Sequence, residues 1–299
     1  METSLFFVPL LGAAMLSVFG VCFQLKIAAR ASAYVASGAA ISVSIVSFLG
    51  AALLSMKYLS HVRILGFPMP WCSMMEHAHV ETGTVTGTLS TIVVLFGTFR
   101  AVQFFRSVHR ARLVTQELRS LTSNPILVEP DDAMYAYSVP GSVPLTILSS
   151  GLVQQLNDFD RGVVLAHEAA HHKYRHGRFL FVGRLATALF APTWFLTRGL
   201  EHALERWADD YAATVVGDRK SVALVVARVS LGSLDHRVPL GVLAFGAAGP
   251  FSTTQRVRSL LRPPQTIPVW VPLLAVAIVA GLLTQLYHFE GMLSSLCQM

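Results

Sequence analysis

Apolar residues fall into four long runs, at 5–25, 33–56, 84–105 and 267–286, separated by polar or basic stretches. Each runs to about 20 residues, long enough to cross a bilayer as a helix. No Lys or Arg precedes the first run, whereas Lys26 and Arg30 follow it, so a retained helix is expected there rather than a cleaved leader. Run two carries Ser37, Gly38, Ser42, Ser44, Ser47 and Gly50, small residues of the kind that let helices approach closely in lipid. Between runs three and four the pattern changes to that of a compact α+β unit. An amphipathic helix is predicted over 106–123, ended by Asn124-Pro125, and short strands over 126–128, 134–139 and 145–148. Asn157-Asp158 or Asp160 supplies an N-cap for an apolar helix over 161–172, and further helices are predicted at 221–234 and 254–261. Pro263-Pro264 closes the unit. The division is therefore 1–105 with three spans, 106–265 as the folded domain, and 266–299 with the last span and a short tail.

Composition supports the membrane reading. Hydrophobic residues make up 53 % of the 299 positions and charged residues 13 %, against about 25 % charged in soluble domains. The net charge of +6 does not point to nucleic acid, because the basic residues gather at the ends of the runs. Arg100, Arg106, Arg110, Arg112 and Arg119 cluster at and beyond the third, against Lys57 and Arg63 in the preceding loop. By the positive-inside rule the 106–265 domain is cytoplasmic and both termini lie outside. Within the 57–83 loop, Glu76, His77, His79 and Glu81 lack a helical histidine pair and suit an interfacial loop anchored by Trp71. Cys22, Cys72 and Cys297 form no C-x-x-C pair and build no metal cluster.

The chemistry concentrates in the 161–172 helix, which contains His167-Glu168-Ala-Ala-His171. Residues four apart share a helical face, so both imidazoles can meet one Zn²⁺, with Glu168 beside them to take a proton from water acidified by the ion. A third histidine from the same segment would require Gly at Tyr174 and His at Gly177, and both fail. The third ligand must come from elsewhere, and a carboxylate is the usual choice in a hydrolytic site. Glu205 is the leading candidate, since it shares a helical face with Asp209, so that one can bind metal while the other orients a ligand imidazole. Glu201, one turn earlier, is its rival.

The apolar stretch 179–196 is at the length threshold for a span. A single crossing would strand Glu205 on the opposite side of the membrane from His167, and Arg184 and Pro192 also argue against it. A buried or re-entrant helical element at the membrane surface is expected instead. His172 and His176 are read as interfacial, on a neighbouring face running into Lys173, Arg175 and Arg178.

Taken together, V-L-A-His167-Glu168-x-x-His171 and the later Glu205-x-x-Ala208-Asp209-x-x-Ala212 resemble the integral-membrane zinc peptidases that include the heat-shock protease HtpX, the CAAX-type endopeptidases and the beta-lactam sensor BlaR. The likeness covers roughly residues 130–262, including Ala136-Tyr137-Ser138-Val-Pro140-Gly141 and Ser149-Ser150-Gly151-Leu152. It implies a gluzincin domain of zincin-like fold in which His167, His171 and Glu205 bind Zn²⁺, Glu168 is the general base and Asp209 supports a ligand. One departure stands out. Some relatives carry His-Pro shortly ahead of an Arg-hydrophobic pair, whereas Gly249-Pro250 precedes Arg256-Val257 here, so no oxyanion-stabilising histidine carries over.

The expectation is a mostly α membrane protein with about four transmembrane helices and a small α+β peptidase domain. Its function is zinc-dependent endoproteolysis at the cytoplasmic face, in regulatory proteolysis or membrane protein quality control. The alternative is a non-catalytic metal-binding membrane sensor, against which Glu168 argues, since a structural site needs four protein ligands and no adjacent base. A transporter would place ionisable groups inside the spans, which contain almost none. The implied partners are a protein or peptide substrate, docked by main-chain hydrogen bonds along an edge strand at Ala136, Tyr137 and Ser138, and the lipid bilayer. No nucleic acid is implied, and the pattern carries no signal for oligomeric state.

Overall fold

A computed structural model describes residues 28–61, 83–122, 124–139, 144–232 and 250–263. The runs predicted at 5–25 and 267–286, most of the 57–83 loop and the apolar link at 241–249 lie outside the described residues. Helix α1 spans Ala29–His61 and α2 spans Thr84–Leu121. Both are long and apolar enough to cross a membrane, over Ala29–Met56 and Thr84–Ser120. The amphipathic helix predicted over 106–123 is not a separate element. Helix α2 holds no proline and runs without interruption from the apolar run into the basic one, ending only where Thr122 turns extended ahead of Asn124-Pro125.

Helix α1 packs through small residues. Ala29, Ala33 and Ala36 meet Leu180, Leu200, Ala203, Leu204 and Trp207, and Ala39 and Ala40 meet Ala186 and Leu196. Ser44 Oγ donates to the Ala186 carbonyl at 2.8 Å. The glycines of this helix contribute no close approach, since a Cβ on Gly38 or Gly50 would enter open space.

Three short strands follow: β1 at Ile126–Glu129, β2 at Ala136–Val139 and β3 at Leu145–Ser149. Their order is β1-β3-β2, with β1 parallel and β2 antiparallel to β3, so among the described residues β2 is an edge strand. Ser149 caps α3 (Ser150–Gln155) by accepting from the Leu152 amide. Asn157 caps α4 (Asp158–Lys173), accepting from the Asp160 amide at 2.8 Å. Asp158 and Asp160 in its first turn and Lys173 in its last suit the helix dipole.

The 179–196 stretch forms a helical turn-back. Helix α5 covers His176–Leu189, a 3-10 turn covers Ala191–Thr193, and α6 runs back over Trp194–Val216. At about 1.5 Å per residue the 14 residues of α5 reach roughly 21 Å, short of the ~30 Å hydrocarbon core. Gly183 makes the turn-back tight: a Cβ there would sit 2.8 Å from Leu200 Cδ2, and Thr197 Oγ1 donates to the Gly183 carbonyl at 2.8 Å. Helix α6 therefore returns Glu205 and Asp209 to α4. It ends at Gly217, whose φ of 80° suits a residue without a Cβ. Helices α7 (Arg219–Gly232) and α8 (Pro250–Leu260) complete a core in which Val222, Ala223, Val226 and Leu260 meet Leu152, Leu156, Val163 and Ala212.

Candidate metal centre

Helix α4 presents His167 and His171 one turn apart, with their Nε2 atoms 3.2 Å from each other. Helix α6 crosses it and brings the Glu205 carboxylate to both, Oε2 at 3.5 Å from His167 Nε2 and Oε1 at 3.8 Å from His171 Nε2. Donors held about 2.1 Å from a shared tetrahedral zinc lie about 3.4 Å apart, so this spacing fits the ion. The coordinating atoms of His167, Glu168 and His171 lie within 4.8 Å of one another. Glu201 is not part of the cluster, since its carboxylate pairs with Arg184 across the turn-back at 3.6 Å.

Charge supports the same fit. Glu168, Glu205, Asp209 and Arg256 are all buried. With both histidines neutral, as metal binding requires, the three carboxylates and one guanidinium of this cluster carry two net negative charges, which a divalent cation would cancel. Each histidine also has a support behind it. His167 Nδ1 lies 3.0 Å from Asp209 Oδ1, an approach too oblique for a well-formed hydrogen bond. His171 Nδ1 meets His176 Nδ1 at 2.8 Å.

The electrostatics follow from this crowding. Burial works against a charged His167, yet contacts with Asp209 and Glu205 overcome it and raise its pKa to about 10. Burial, aided by the neighbouring His167, His176 and Arg256, pushes His171 well below the usual histidine range against the opposing pull of Glu205. Burial also pushes Glu168 up, against the opposing pull of His167 and a hydrogen bond from Ser138. Glu205 is held low despite its burial, chiefly by Arg256 and the two histidines. Asp209 is likewise held down to about 2, mainly by Arg256.

Of the three residues predicted to line a substrate strand, all lie on β2. Tyr137 is buried with Tyr135, Val139, Leu145 and Ile147, so its ring belongs to the core. Ser138 faces the opposite way and donates its hydroxyl to Glu168, lying within hydrogen-bond reach of both the carboxylate and the backbone carbonyl. Ala136 is half-buried.

Two residues join the centre that sequence reasoning did not assign to it. Arg256 reaches in from α8, its Nη1 3.0 Å from Glu205 Oε2; the signal was its place in the Arg-hydrophobic pair. His176 is fully buried rather than interfacial. Helix α4 does not continue through it: the chain turns at Tyr174 and Arg175, where Arg175 adopts φ 53°, and His176 opens α5 pointing inward. His172 does lie partly at the surface, its Nε2 3.2 Å from the Leu145 carbonyl.

No curated protein and no solved structure is similar enough to match this chain. Residues 105–200, which run from the middle of α2 through α4 and α5 into α6, match the model of Peptidase family M48, a likeness that supports a metallopeptidase.

Proposed function

We propose that the chain is a membrane-embedded zinc endopeptidase that cleaves protein substrates at the cytoplasmic face of the bilayer. The observation that carries this reading is the convergence of His167 Nε2, His171 Nε2 and the Glu205 carboxylate beside a buried Glu168. His167, His171 and Glu205 would hold the ion with one position left open. When bound, Zn²⁺ acidifies water and polarises a peptide carbonyl.

The chain's own residues do the rest. Glu168, its pKa raised by burial, accepts the proton of the attacking water and passes it to the leaving amine. Ser138 holds that carboxylate from the edge strand. Asp209 backs His167, and Arg256 backs Asp209. An extended substrate segment adds to the outer edge of β2, pairing with main-chain groups of Ala136, Tyr137 and Ser138. Since the Tyr137 ring is buried, the substrate reads backbone there rather than that side chain.

Helices α1 and α2 anchor the domain in lipid, and the α5–α6 turn-back packed on α1 is a re-entrant element at the membrane surface. Counting the apolar runs at 5–25 and 267–286, which lie outside the described residues, this reading gives the sequence about four spans, with both its ends outside and residues 106–265 in the cytoplasm. Helix α2 then carries the membrane anchor directly into that domain. The zincin-like fold is supported by the helix α4, the edge strand β2 and the returning ligand helix α6.

The test is a proteomic comparison of cells carrying the protein with cells carrying Glu168→Gln. Fragments should be lost and an uncleaved partner should accumulate in the variant. Identical fragment profiles would overturn the catalytic reading. Quality control predicts many partners with misfolded membrane domains, and regulatory proteolysis predicts one or a few.

A further inference from the structure

The ring of His176 sits in an unusual place for a residue five positions after His171. On a continuous helix it would lie about 140° around the axis from His171. The left-handed turn at Arg175 ends α4 and starts α5, and that redirects His176 beneath His171, with ring centroids 4.9 Å apart and Nδ1 facing Nδ1 at 2.8 Å. Trp207, with its ring centroid 4.9 Å away, and Tyr174, stacked at 6.0 Å, hold the imidazole in that position.

We propose that His176 is a positioning residue for His171, accepting a hydrogen bond at Nδ1 from His171 Nδ1–H and so fixing the tautomer in which His171 Nε2 is the unprotonated nitrogen that would meet the metal. This rests on the metallopeptidase reading above. Two neutral imidazoles facing nitrogen to nitrogen share one proton between them. If His176 Nδ1 carried it, the His171 proton would sit on Nε2, the atom that faces His167 and Glu205, and the ligand position would be blocked. With the proton on His171 Nδ1, the His176 proton moves to its Nε2. That atom is buried and has no hydrogen-bond partner among the described residues. The unsatisfied group is thus placed on His176, away from the ligand cluster.

The two histidines are therefore supported differently. His167 is backed by the Asp209 carboxylate, whereas His171 is backed by a neutral ring that adds no charge to an interior already rich in carboxylates. Trp207 on α6 and the turn at Arg175 become part of the metal site through this contact, because both set where the acceptor stands.

Zinc affinity, measured on the full chain in detergent by competition with a chromogenic chelator, tests this. His176→Phe keeps a ring on Trp207 but has no acceptor, and His176→Asn puts an amide oxygen close to the place of Nδ1. Phe is expected to weaken zinc binding by about 10- to 100-fold, and Asn to stay within about threefold of the wild type. Equal affinity in wild type and His176→Phe would overturn the proposal alone, as would an Asn variant as weak as Phe, since packing and not the acceptor would then matter. A wild type that binds no zinc would overturn the metallopeptidase reading with it. Nitrogen NMR of histidine-labelled, zinc-loaded wild type gives a readout independent of variant folding. His171 should be protonated at Nδ1, and protonation at Nε2 would overturn the assignment.

Discussion

Arg256 grips Asp209 with two hydrogen bonds, Nε donating to Oδ2 at 2.8 Å and Nη2 to Oδ1 at 2.7 Å, across 47 residues of sequence. The fork geometry matches a carboxylate, and the third nitrogen is left to meet Glu205 at 3.0 Å. One guanidinium on α8 thus touches both carboxylates that α6 presents to the histidines. Burial opposes its charge, but Asp209 and Glu205 raise its pKa beyond the ordinary arginine value. Support passes from α8 to α6 and then to α4.

Arg256→Met should therefore destabilise the metal-free protein by about 3–5 kcal/mol, because it removes the guanidinium that two buried carboxylates share. Arg256→Lys should fall between, since a lysine cannot form the paired contact with Asp209. Thermal unfolding of the chelator-treated variants measures this. An unchanged midpoint in Arg256→Met would mean that the arginine contributes nothing to stability where it stands.

Glu168 and Asp209 are asked to do different things, and their variants should separate. Glu168→Gln keeps size and hydrogen bonding but cannot accept a proton, so hydrolysis should nearly vanish while zinc occupancy stays close to normal. Asp209→Ala removes the group behind His167, and activity should fall by about 10- to 100-fold with partial recovery on added zinc. Zinc titrations of peptide cleavage distinguish the two. Recovery of Glu168→Gln by zinc would contradict its role as base.

Glu205→Ala should lose metal while Glu201→Ala keeps it. Glu201 sits at a half-exposed pair with Arg184, where an ion pair contributes about 0–1 kcal/mol, so its loss should scarcely affect folding. Bound zinc in the two purified variants decides the matter. Metal loss on Glu201→Ala would mean that α6 binds in a different register.

The parts of this site that were legible in the sequence are those governed by a single helix. His167 and His171, and separately Glu205 and Asp209, are each four apart, and a 3.6-residue period puts each pair on one face without further information. The turn-back was legible only indirectly, because Glu205 had to return to His167. Composition misled at α2, where the shift from apolar to basic residues near Phe105 resembles a boundary but does not alter backbone geometry. His176 was misplaced because the break after α4 rests on a left-handed arginine, a conformation with no residue signature of its own, unlike the glycine at 217. Arg256 was visible as part of a pair, but its partners are set by how α8 docks on α6, which no local pattern encodes.

Metal binding should carry a pH dependence whose sign follows from His167. In the metal-free fold Asp209 and Glu205 outweigh burial and raise its pKa to about 10, so at neutral pH the ring is charged and must lose a proton before it can bind. Apparent zinc affinity should then rise with pH, by up to about tenfold per unit between roughly pH 7 and 9, and level off near 10. Stability of the metal-free protein should run the other way. A raised folded pKa contributes stability that is complete below the ordinary value of about 6.5 and lost as pH rises through about 10, so raising the pH weakens the empty fold while strengthening the bound one. Chelator competition at several pH values, with titration calorimetry in buffers of different ionisation enthalpy to count released protons, checks both. A flat affinity with no proton released would show that His167 is already neutral, and the pull assigned to Asp209 and Glu205 would have to be withdrawn.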